Sequence, residues 1–158
     1  MWKKAKPFII SIAIALSVGI ISALLTRGNM GIYSEIKVPP LAPPAILFPI
    51  VWTILYVLMG VSAAVIYNKK DEMPEAVRAA LDIYKISLFF NFAWSLIFFN
   101  AREFVAALVC IVFLLISIIK TVISYKKINW VAAYLQIPYT LWVAFATYLN
   151  TAIVFLNR

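Results

Sequence analysis

Aromatic rings and side-chain amides recur at helical spacing inside the most apolar stretches of this chain. Trp52 and Tyr56 lie four residues apart in one stretch, Asn91 and Trp94 lie three apart in another, and Trp142 lies deep in a third. Side chains three or four residues apart share one face of a helix. A buried indole or amide needs a hydrogen-bond partner. If these faces meet, they would form a pocket for a flat, largely apolar ligand with a few polar edges.

Indoles and amides also have a purely structural interpretation. Membrane helices place Trp and Tyr at the lipid–water interface as anchors, and they use Asn and Ser to join neighbouring helices. Trp2 and Trp130 lie at the ends of apolar stretches, where anchoring is expected, whereas Trp52 and Trp142 lie well inside theirs. A shared internal pocket and contacts between helices both stay open as explanations of the deeper residues.

The chain lacks the side chains that most enzyme and metal sites use. It has no histidine and a single cysteine, Cys110. Ser-His-Asp and Cys-His catalysis, histidine-bound zinc and a histidine ligand for haem iron are therefore excluded, and no metal or cofactor is predicted. All acidic residues lie between apolar stretches or at their ends, which disfavours paired-carboxylate chemistry and ion-driven transport. They are Glu35, Asp71, Glu72, Glu75, Asp82 and Glu103.

The elements that carry the aromatic residues are predicted to be long membrane helices. Of the 158 residues, 65% are hydrophobic and 13% are charged, and the mean hydropathy is +0.99. A soluble domain is about a quarter charged, and a helix needs about 20 mostly apolar residues to cross a bilayer. The sequence therefore predicts an all-α membrane protein, a single domain over residues 1–158 formed by a bundle of five transmembrane helices. The expected spans are approximately 8–26, 44–68, 79–100, 104–125 and 130–156.

The lysines and arginines indicate how the helices are oriented. The first span follows three lysines, as a signal peptide would, but its apolar core is too long and no small-residue cleavage motif follows, so a retained helix is expected. Cytoplasmic loops are enriched in Lys and Arg. The cationic residues on the amino-terminal side outnumber those on the other side, which predicts a cytoplasmic amino terminus and an external carboxyl terminus. The former are Lys3, Lys4, Lys6, Lys69, Lys70, Arg78, Lys85, Lys120, Lys126 and Lys127; the latter are Arg27, Lys37, Arg102 and Arg158.

The enrichment of lysine and arginine in the loops on one side of the membrane accounts for the net charge of +8. Nucleic-acid binding is therefore not expected.

Prolines and small residues suggest how the helices are shaped and packed. The proline-rich loop over 28–43 is longer than a connection requires, and it is expected to be either a lid over the pocket or an extended linker. Pro49 and Pro138 lie inside spans, where each is expected to kink its helix. Two stripes of small residues predict close helix contacts, mostly within one chain. They are Ser11, Ala15, Gly19 and Ala23 in the first span, and Gly60 and Ala64 in the second.

Three ordered motifs resemble those of the translocator protein family, also called the tryptophan-rich sensory proteins or peripheral-type benzodiazepine receptors. The similarity extends from Gly19 to Asn150 and implies a five-helix bundle, often a homodimer, with a pocket near the first loop. The motifs are Tyr33…Pro39…Pro43-Pro44 followed by Val51-Trp52-Thr53-Ile54-Leu55-Tyr56, then Asn91-Phe92-Ala93-Trp94…Phe98-Phe99…Ala101-Arg102, and finally Pro138-Tyr139…Trp142…Phe145-Ala146-Thr147-Tyr148-Leu149-Asn150.

The same resemblance implies ligands and site residues. Family members bind porphyrins, and some bind cholesterol and synthetic isoquinoline carboxamides or benzodiazepines. Some bacterial members are linked to light- and oxygen-dependent breakdown of protoporphyrin, and by motif position Trp52 and Trp142 would be the tryptophans implicated. Both would also line the ligand pocket. The other ligand-binding residues implied by motif position are Tyr33, Pro43, Tyr56, Asn91, Trp94, Phe145, Ala146 and Leu149.

The chain departs from the family pattern at positions that bear on the ligand. Ile32 stands before Tyr33, and Leu41 stands between the proline pairs, where the family commonly has an aromatic residue. Thr151 and Leu156 stand where animal members have the Tyr and Arg of a proposed sterol motif. Such motifs are weak signals even when they are present, so a sterol is not predicted as the native ligand.

These observations predict an integral membrane receptor or sensor for a protoporphyrin-like tetrapyrrole, surrounded by membrane lipid. A light- and oxygen-dependent porphyrin-degrading enzyme and a facilitated transporter of porphyrin or another lipophile stay open as alternatives. The short tails favour a bacterial inner membrane.

Overall fold

Every regular element that the computed structural model describes is helical, over residues 2–157, with side chains described from Ala5 to Asn157. The side chains of Trp2, Lys3 and Lys4 and the whole of Arg158, on which part of the topology prediction rests, lie outside the described residues. The helices are α1 (Trp2–Thr26), α2 (Ile32–Glu35), α3 (Leu47–Tyr67), α4 (Pro74–Ser95), α5 (Phe104–Ile128), α6 (Trp130–Leu135) and α7 (Ile137–Leu156), with a 3₁₀ turn at Arg27–Asn29 and a π-helical turn at Leu96–Ala101.

Five helical segments of the described chain are long and apolar enough to cross a membrane, which confirms the predicted fold class. The first runs through α1 and its continuation into α2, and the last is formed by α6 and α7 together. Their bounds are Ala5–Glu35, Leu47–Tyr67, Pro74–Ala101, Phe104–Ile128 and Trp130–Leu156. The most extensive packing joins α1 to α3 and α4 to α5, and α5 also packs against α6 and α7.

The prolines affect the helices differently from one another. The expected kink at Pro49 is wrong, because α3 begins only at Leu47 and Pro49 falls in its first turn, where backbone N–H groups have no intrahelical partner. The last span does break: α6 ends at Leu135 and α7 begins at Ile137, with Pro138 in the first turn of α7. Proline is well suited to a helix start, so the break precedes it.

The small-residue stripes pack α1 against α3 within the chain. Gly60 lies so close to Ile12 that a methyl group added to it would be 2.5 Å from the Ile12 Cα, and a methyl group on Gly19 would overlap the ring of Tyr56. Ala15 is fully buried in the same contact, whereas Ala23, at the end of the stripe, is exposed. The expectation of a contact within one chain is therefore correct for the middle of the stripe.

A tight turn joins the third and fourth spans. Arg102 ends the π-helical turn with φ of 55° in the left-handed region, and α5 starts two residues later. Left-handed backbone is unfavourable for residues other than glycine. The turn places the Arg102 side chain on the same side of the bundle as α2.

Candidate functional site

Aromatic side chains from four helical segments converge at the end of the bundle that carries α2. Together they enclose a cavity of about 10 Å³, which we call the aromatic site. Its walls come from α2, the start of α3, the end of α4 with its π-helical turn, and α7. The lining residues are Tyr33, Phe48, Trp52, Trp94, Phe98, Trp142, Ala146, Leu149 and Asn150.

The segment between α1 and α3, residues 27–46, packs against this site, and we call it the lid. Tyr33 of α2 stacks on Phe48, with ring centroids 5.3 Å apart, and lies 6.1 Å from the ring of Phe98. Phe48 in turn meets Trp142 edge to face at 5.9 Å. These aromatic contacts close the site on the lid side.

A second cavity of about 110 Å³ adjoins the aromatic site between α1, α3 and α4. Phe48, Trp52 and Trp94 line both cavities and thus form the wall between them. The α1 side contributes Ser22 and Thr26, which the sequence did not single out.

The buried amides of Asn91 and Asn150 join helices, and Asn150 also lines the aromatic site. Asn91 of α4 accepts a hydrogen bond from the Tyr56 hydroxyl at 2.7 Å and donates one to the Tyr139 hydroxyl at 2.9 Å. Asn150 of α7 accepts from the Trp94 indole N–H at 3.0 Å and donates to the Phe104 carbonyl at 2.9 Å. The contacts of Asn91, which lines neither cavity, favour the inter-helix interpretation, whereas Asn150 both joins helices and lines the aromatic site.

Two buried polar groups beside the cavities have no hydrogen-bond partner. One is the indole N–H of Trp142, at the aromatic site, and the other is the hydroxyl of Ser22, at the second cavity. A buried donor without a partner costs free energy comparable to a lost hydrogen bond. Both groups are therefore available to a polar edge of a ligand.

The lid is fastened by polar contacts near the membrane surface. Arg102 Nη1 donates to Glu35 Oε2 at 2.7 Å, and both side chains are about half exposed. Asn157 Oδ1 accepts from the Lys37 backbone N–H, and its amide donates to the Lys37 carbonyl, each at 2.9 Å. Exposed ion pairs are weak, typically about 0.2–1 kcal/mol, so most of the attachment of the lid comes from buried contacts such as those of Ile32 and Tyr33.

The structure brings together six of the ten residues that the sequence assigned to the ligand pocket: Tyr33, Trp52, Trp94, Trp142, Ala146 and Leu149. Tyr56 lines only the second cavity. Asn91 lines neither cavity, and Pro43 is half-buried in the lid without lining any. Phe145 lines an outward-facing groove of about 390 Å³ that it shares with Trp142.

Phe48, Phe98 and Asn150 line the aromatic site although the sequence did not assign them to it. Phe48 lies four residues before Trp52, and Phe98 lies four after Trp94, so the shared-face rule could have found both. An unbroken helix would place Tyr134 on the same side as Trp142, eight residues further on, but Tyr134 is 66% exposed, because the helix breaks between α6 and α7. Among residues 2–157 no group of acidic, cysteine or histidine side chains could hold a metal ion.

Comparison with known proteins places the chain among relatives of matching length. Residues 11–156 match the sequence profile of the TspO/MBR family. The chain is 35% identical to the tryptophan-rich protein TspO of Chlorobaculum tepidum, over 99% of both chains. It is 30% identical to the tryptophan-rich sensory protein of Cereibacter sphaeroides, over 79% of this chain and 76% of that one. It is 29% identical to the human translocator protein, over 94% of this chain and 87% of that one.

Proposed function

Because the chain belongs to the TspO/MBR family of integral membrane proteins, we propose that it is a receptor that binds a porphyrin-like tetrapyrrole at the aromatic site. The observation that carries this proposal is the unpartnered indole N–H of Trp142. It belongs to a side chain surrounded by aromatic rings, beside two other tryptophans that line the same space. A ligand with a flat ring system and polar edges could stack on these aromatic rings and accept a hydrogen bond from the Trp142 N–H.

Stacking and burial would supply most of the binding energy. Tyr33, Phe48 and Trp52 offer ring faces or edges to a planar ligand, and each such aromatic contact contributes about 0.5–1.5 kcal/mol beyond area burial. The Trp142 N–H would donate to a polar edge of the ligand. Since the chain has no histidine, binding does not depend on histidine ligation of iron. Synthetic isoquinoline carboxamides and benzodiazepines share this flat, apolar chemistry and would compete for the same site.

Ligand binding requires the lid to move. The aromatic site measures about 10 Å³ and its neighbour about 110 Å³, whereas pockets for drug-sized ligands measure about 300–1,000 Å³. Displacing Tyr33 from Phe48 would open the site on the side of α2. The closed lid would then be the resting form of the receptor.

Titration with protoporphyrin tests this site. The double variant W52F/W142F is expected to weaken binding about tenfold or more, because it removes two indoles and the free N–H donor. The control is W130F, since Trp130 is exposed at the start of α6 and lines none of the cavities described. Fluorescence quenching in detergent measures both affinities. Equal affinity for the double variant and the wild type would contradict the proposed site.

A second candidate function is light- and oxygen-dependent porphyrin degradation. The observation that favours it is that Trp52 and Trp142 line one cavity, so both indoles would contact a ligand bound there. An excited porphyrin could take an electron from an adjacent indole and pass it to dioxygen, which forms superoxide. The porphyrin would then return an electron to the indole radical cation and combine with the superoxide, so that the indole is regenerated and the porphyrin is oxygenated by dioxygen. Illumination of the purified protein with protoporphyrin tests this role. A product spectrum identical to that of the free dye, in the wild type and in W52F/W142F, would exclude it.

We further propose a bacterial inner membrane location, a cytoplasmic amino terminus and a homodimer. The excess of lysines at the amino-terminal side supports the orientation. The outward face of α1 carries exposed aliphatic side chains such as Ile14, Ile21 and Leu25, which a second copy could cover. Labelling of cysteines introduced at the chain ends tests the orientation, and cross-linking through α1 in native membranes tests the dimer. Labelling of the amino-terminal cysteine from outside intact cells would contradict the proposed cytoplasmic amino terminus.

A further inference from the structure

A second, larger cleft lies at the opposite end of the bundle from the aromatic site. It measures about 570 Å³ and is bounded by the start of α1, the end of α3 with its following turn, and α4. We call it the lysine cleft. Its lining includes Lys6, Lys70 and Lys85, one from each of these three segments. The aromatic site instead adjoins the lid, so the two spaces are separate.

Most other residues that line the lysine cleft are apolar. Ile10 and Ile14 of α1 face Leu81 and Leu88 of α4 across it, and Ala63 of α3 contributes to the floor. Ile10 and Ile14 are about half exposed, so the cleft opens toward the surrounding lipid. A space with cations at one end and aliphatic side chains along its length has the polarity of an amphiphile with a negative head.

The cations of the cleft are only partly neutralised by protein groups. Lys70 Nζ donates to the Tyr67 hydroxyl at 3.0 Å and lies 4.4 Å from the centroid of that ring, a contact that adds no negative charge. This hydrogen bond, together with smaller effects that include nearby Asp71, raises the pKa of Lys70, so its ammonium group stays protonated at neutral pH. Lys85 forms an ion pair with Asp82 at 2.9 Å. Lys6 forms no ion pair with any described side chain.

From this arrangement we propose that the lysine cleft binds one anionic phospholipid of the leaflet on the amino-terminal side. Its phosphate would lie among Lys6, Lys70 and Lys85, and one acyl chain would run along Ile10, Ile14 and the facing leucines of α4. A lipid already resident in the membrane reaches the cleft sideways. The choice of a lipid over a soluble anion follows from the length of the apolar wall, which a free phosphate would leave uncovered.

Lipid retention measured by native mass spectrometry tests the proposal. The full chain is purified in detergent with equal amounts of phosphatidylglycerol and phosphatidylcholine carrying identical acyl chains. We expect one phosphatidylglycerol retained per chain, with about a tenfold preference over phosphatidylcholine. The variant K6Q/K70Q/K85Q is expected to reduce that preference to within about twofold, because most of the charge attraction is removed.

A matched variant separates the cleft from general attraction to the membrane surface. K120Q/K126Q/K127Q removes the same number of positive charges from the same side of the protein, but these lysines lie on α5 and do not line the cleft. It should keep the wild-type preference. An equal loss in both triple variants, or no preference in the wild type, would overturn the proposal.

Two further arms test the apolar part of the site and the source of the anion. I10W fills the cleft while leaving its lysines in place, and it should reduce the retained phosphatidylglycerol about as much as the lysine variant does. Undiminished retention in I10W would place the lipid outside the cleft.

Inorganic phosphate at millimolar concentration should not displace the lipid. Displacement would show that the cleft recognises free phosphate and would overturn the assignment to a phospholipid.

Discussion

Two indoles at the aromatic site differ in what their N–H groups contact. The Trp94 N–H donates to Asn150, so Trp94 is fixed between α4 and α7. The Trp142 N–H has no partner, although the side chain is at least half-buried beside the same cavity. A buried indole with a partner contributes to stability, whereas a buried indole without one costs free energy. The two tryptophans therefore differ in their contribution to stability although they line one cavity.

The bridge formed by Asn91 leads to a stability prediction. N91L leaves the hydroxyls of Tyr56 and Tyr139 without their shared partner, which is expected to lower the free energy of unfolding by about 1–2 kcal/mol. The triple variant N91L/Y56F/Y139F removes the unpaired hydroxyls as well and should recover most of that loss. Unfolding by a denaturing detergent, followed by circular dichroism, measures both. Unchanged stability of N91L would show that the bridge contributes nothing.

At this scale the sequence predicts which helix face a residue occupies but not which partner it meets. Helical spacing correctly grouped Trp52 with Tyr56, whose rings lie 5.6 Å apart. It could not show that Asn91 would bond to tyrosines on α3 and α7, because hydrogen bonds between helices depend on the rotation of each helix. Pro43 illustrates a further limit, since a residue in an irregular lid has no periodic face from which its position can be predicted.

Among the helices, α1 and α3 approach each other closely at two glycines. Gly60 meets the backbone of Ile12, which cannot move without displacing α1, whereas Gly19 meets the ring of Tyr56. Because Tyr56 also bonds to Asn91, the packing of α1 is coupled to the buried hydrogen bonds. Small residues allow such close approach in membranes, where helix association relies on van der Waals packing.

G60A is expected to destabilise the bundle. A methyl group 2.5 Å from the Ile12 Cα must push the two helices apart, at a cost of about 1–3 kcal/mol. G28A is the matched control, because a methyl group there meets nothing within 4 Å and the backbone is not left-handed. Thermal unfolding in detergent measures both variants. If G60A were as stable as G28A, α1 and α3 could not be packed as closely as described.

The number and type of the helices follow from composition, but their ends depend on local contacts. Long apolar runs predicted five membrane helices, since the bilayer imposes length and apolarity on every span. The start of α3 at Leu47 and the short helix α2 were not predicted. Prolines 39, 40, 43 and 44 define an extended segment without fixing where the next helix begins, and α2 is stabilised by packing of Tyr33 on Phe48 and Phe98 rather than by any long pattern.

Across the whole molecule, several polar contacts join the lid to the ends of the spans. Asn29 donates to Asn100 at 2.9 Å, and Asn100 donates to the Leu25 carbonyl, which ties the end of α1 to the turn before α5. Arg102 and Asn157 bind the lid from two other directions. The lid therefore connects the first, third and last spans, and its opening must break contacts with all three.

Weakening the Arg102–Glu35 pair should speed ligand binding without loss of fold. E35Q and R102Q each remove the charge attraction across 2.7 Å, and because both side chains are about half exposed, stability should fall by no more than about 1 kcal/mol. The lid would open more often, so the association rate of protoporphyrin should rise about two- to fivefold, as measured by stopped-flow fluorescence. The charge exchange E35R/R102E should return the rate toward that of the wild type.

Higher ionic strength should raise the association rate of the wild type but leave that of E35Q nearly unchanged, because salt screens an ion pair that E35Q no longer has. Equal association rates in the wild type, E35Q and R102Q would show that this pair does not limit lid opening.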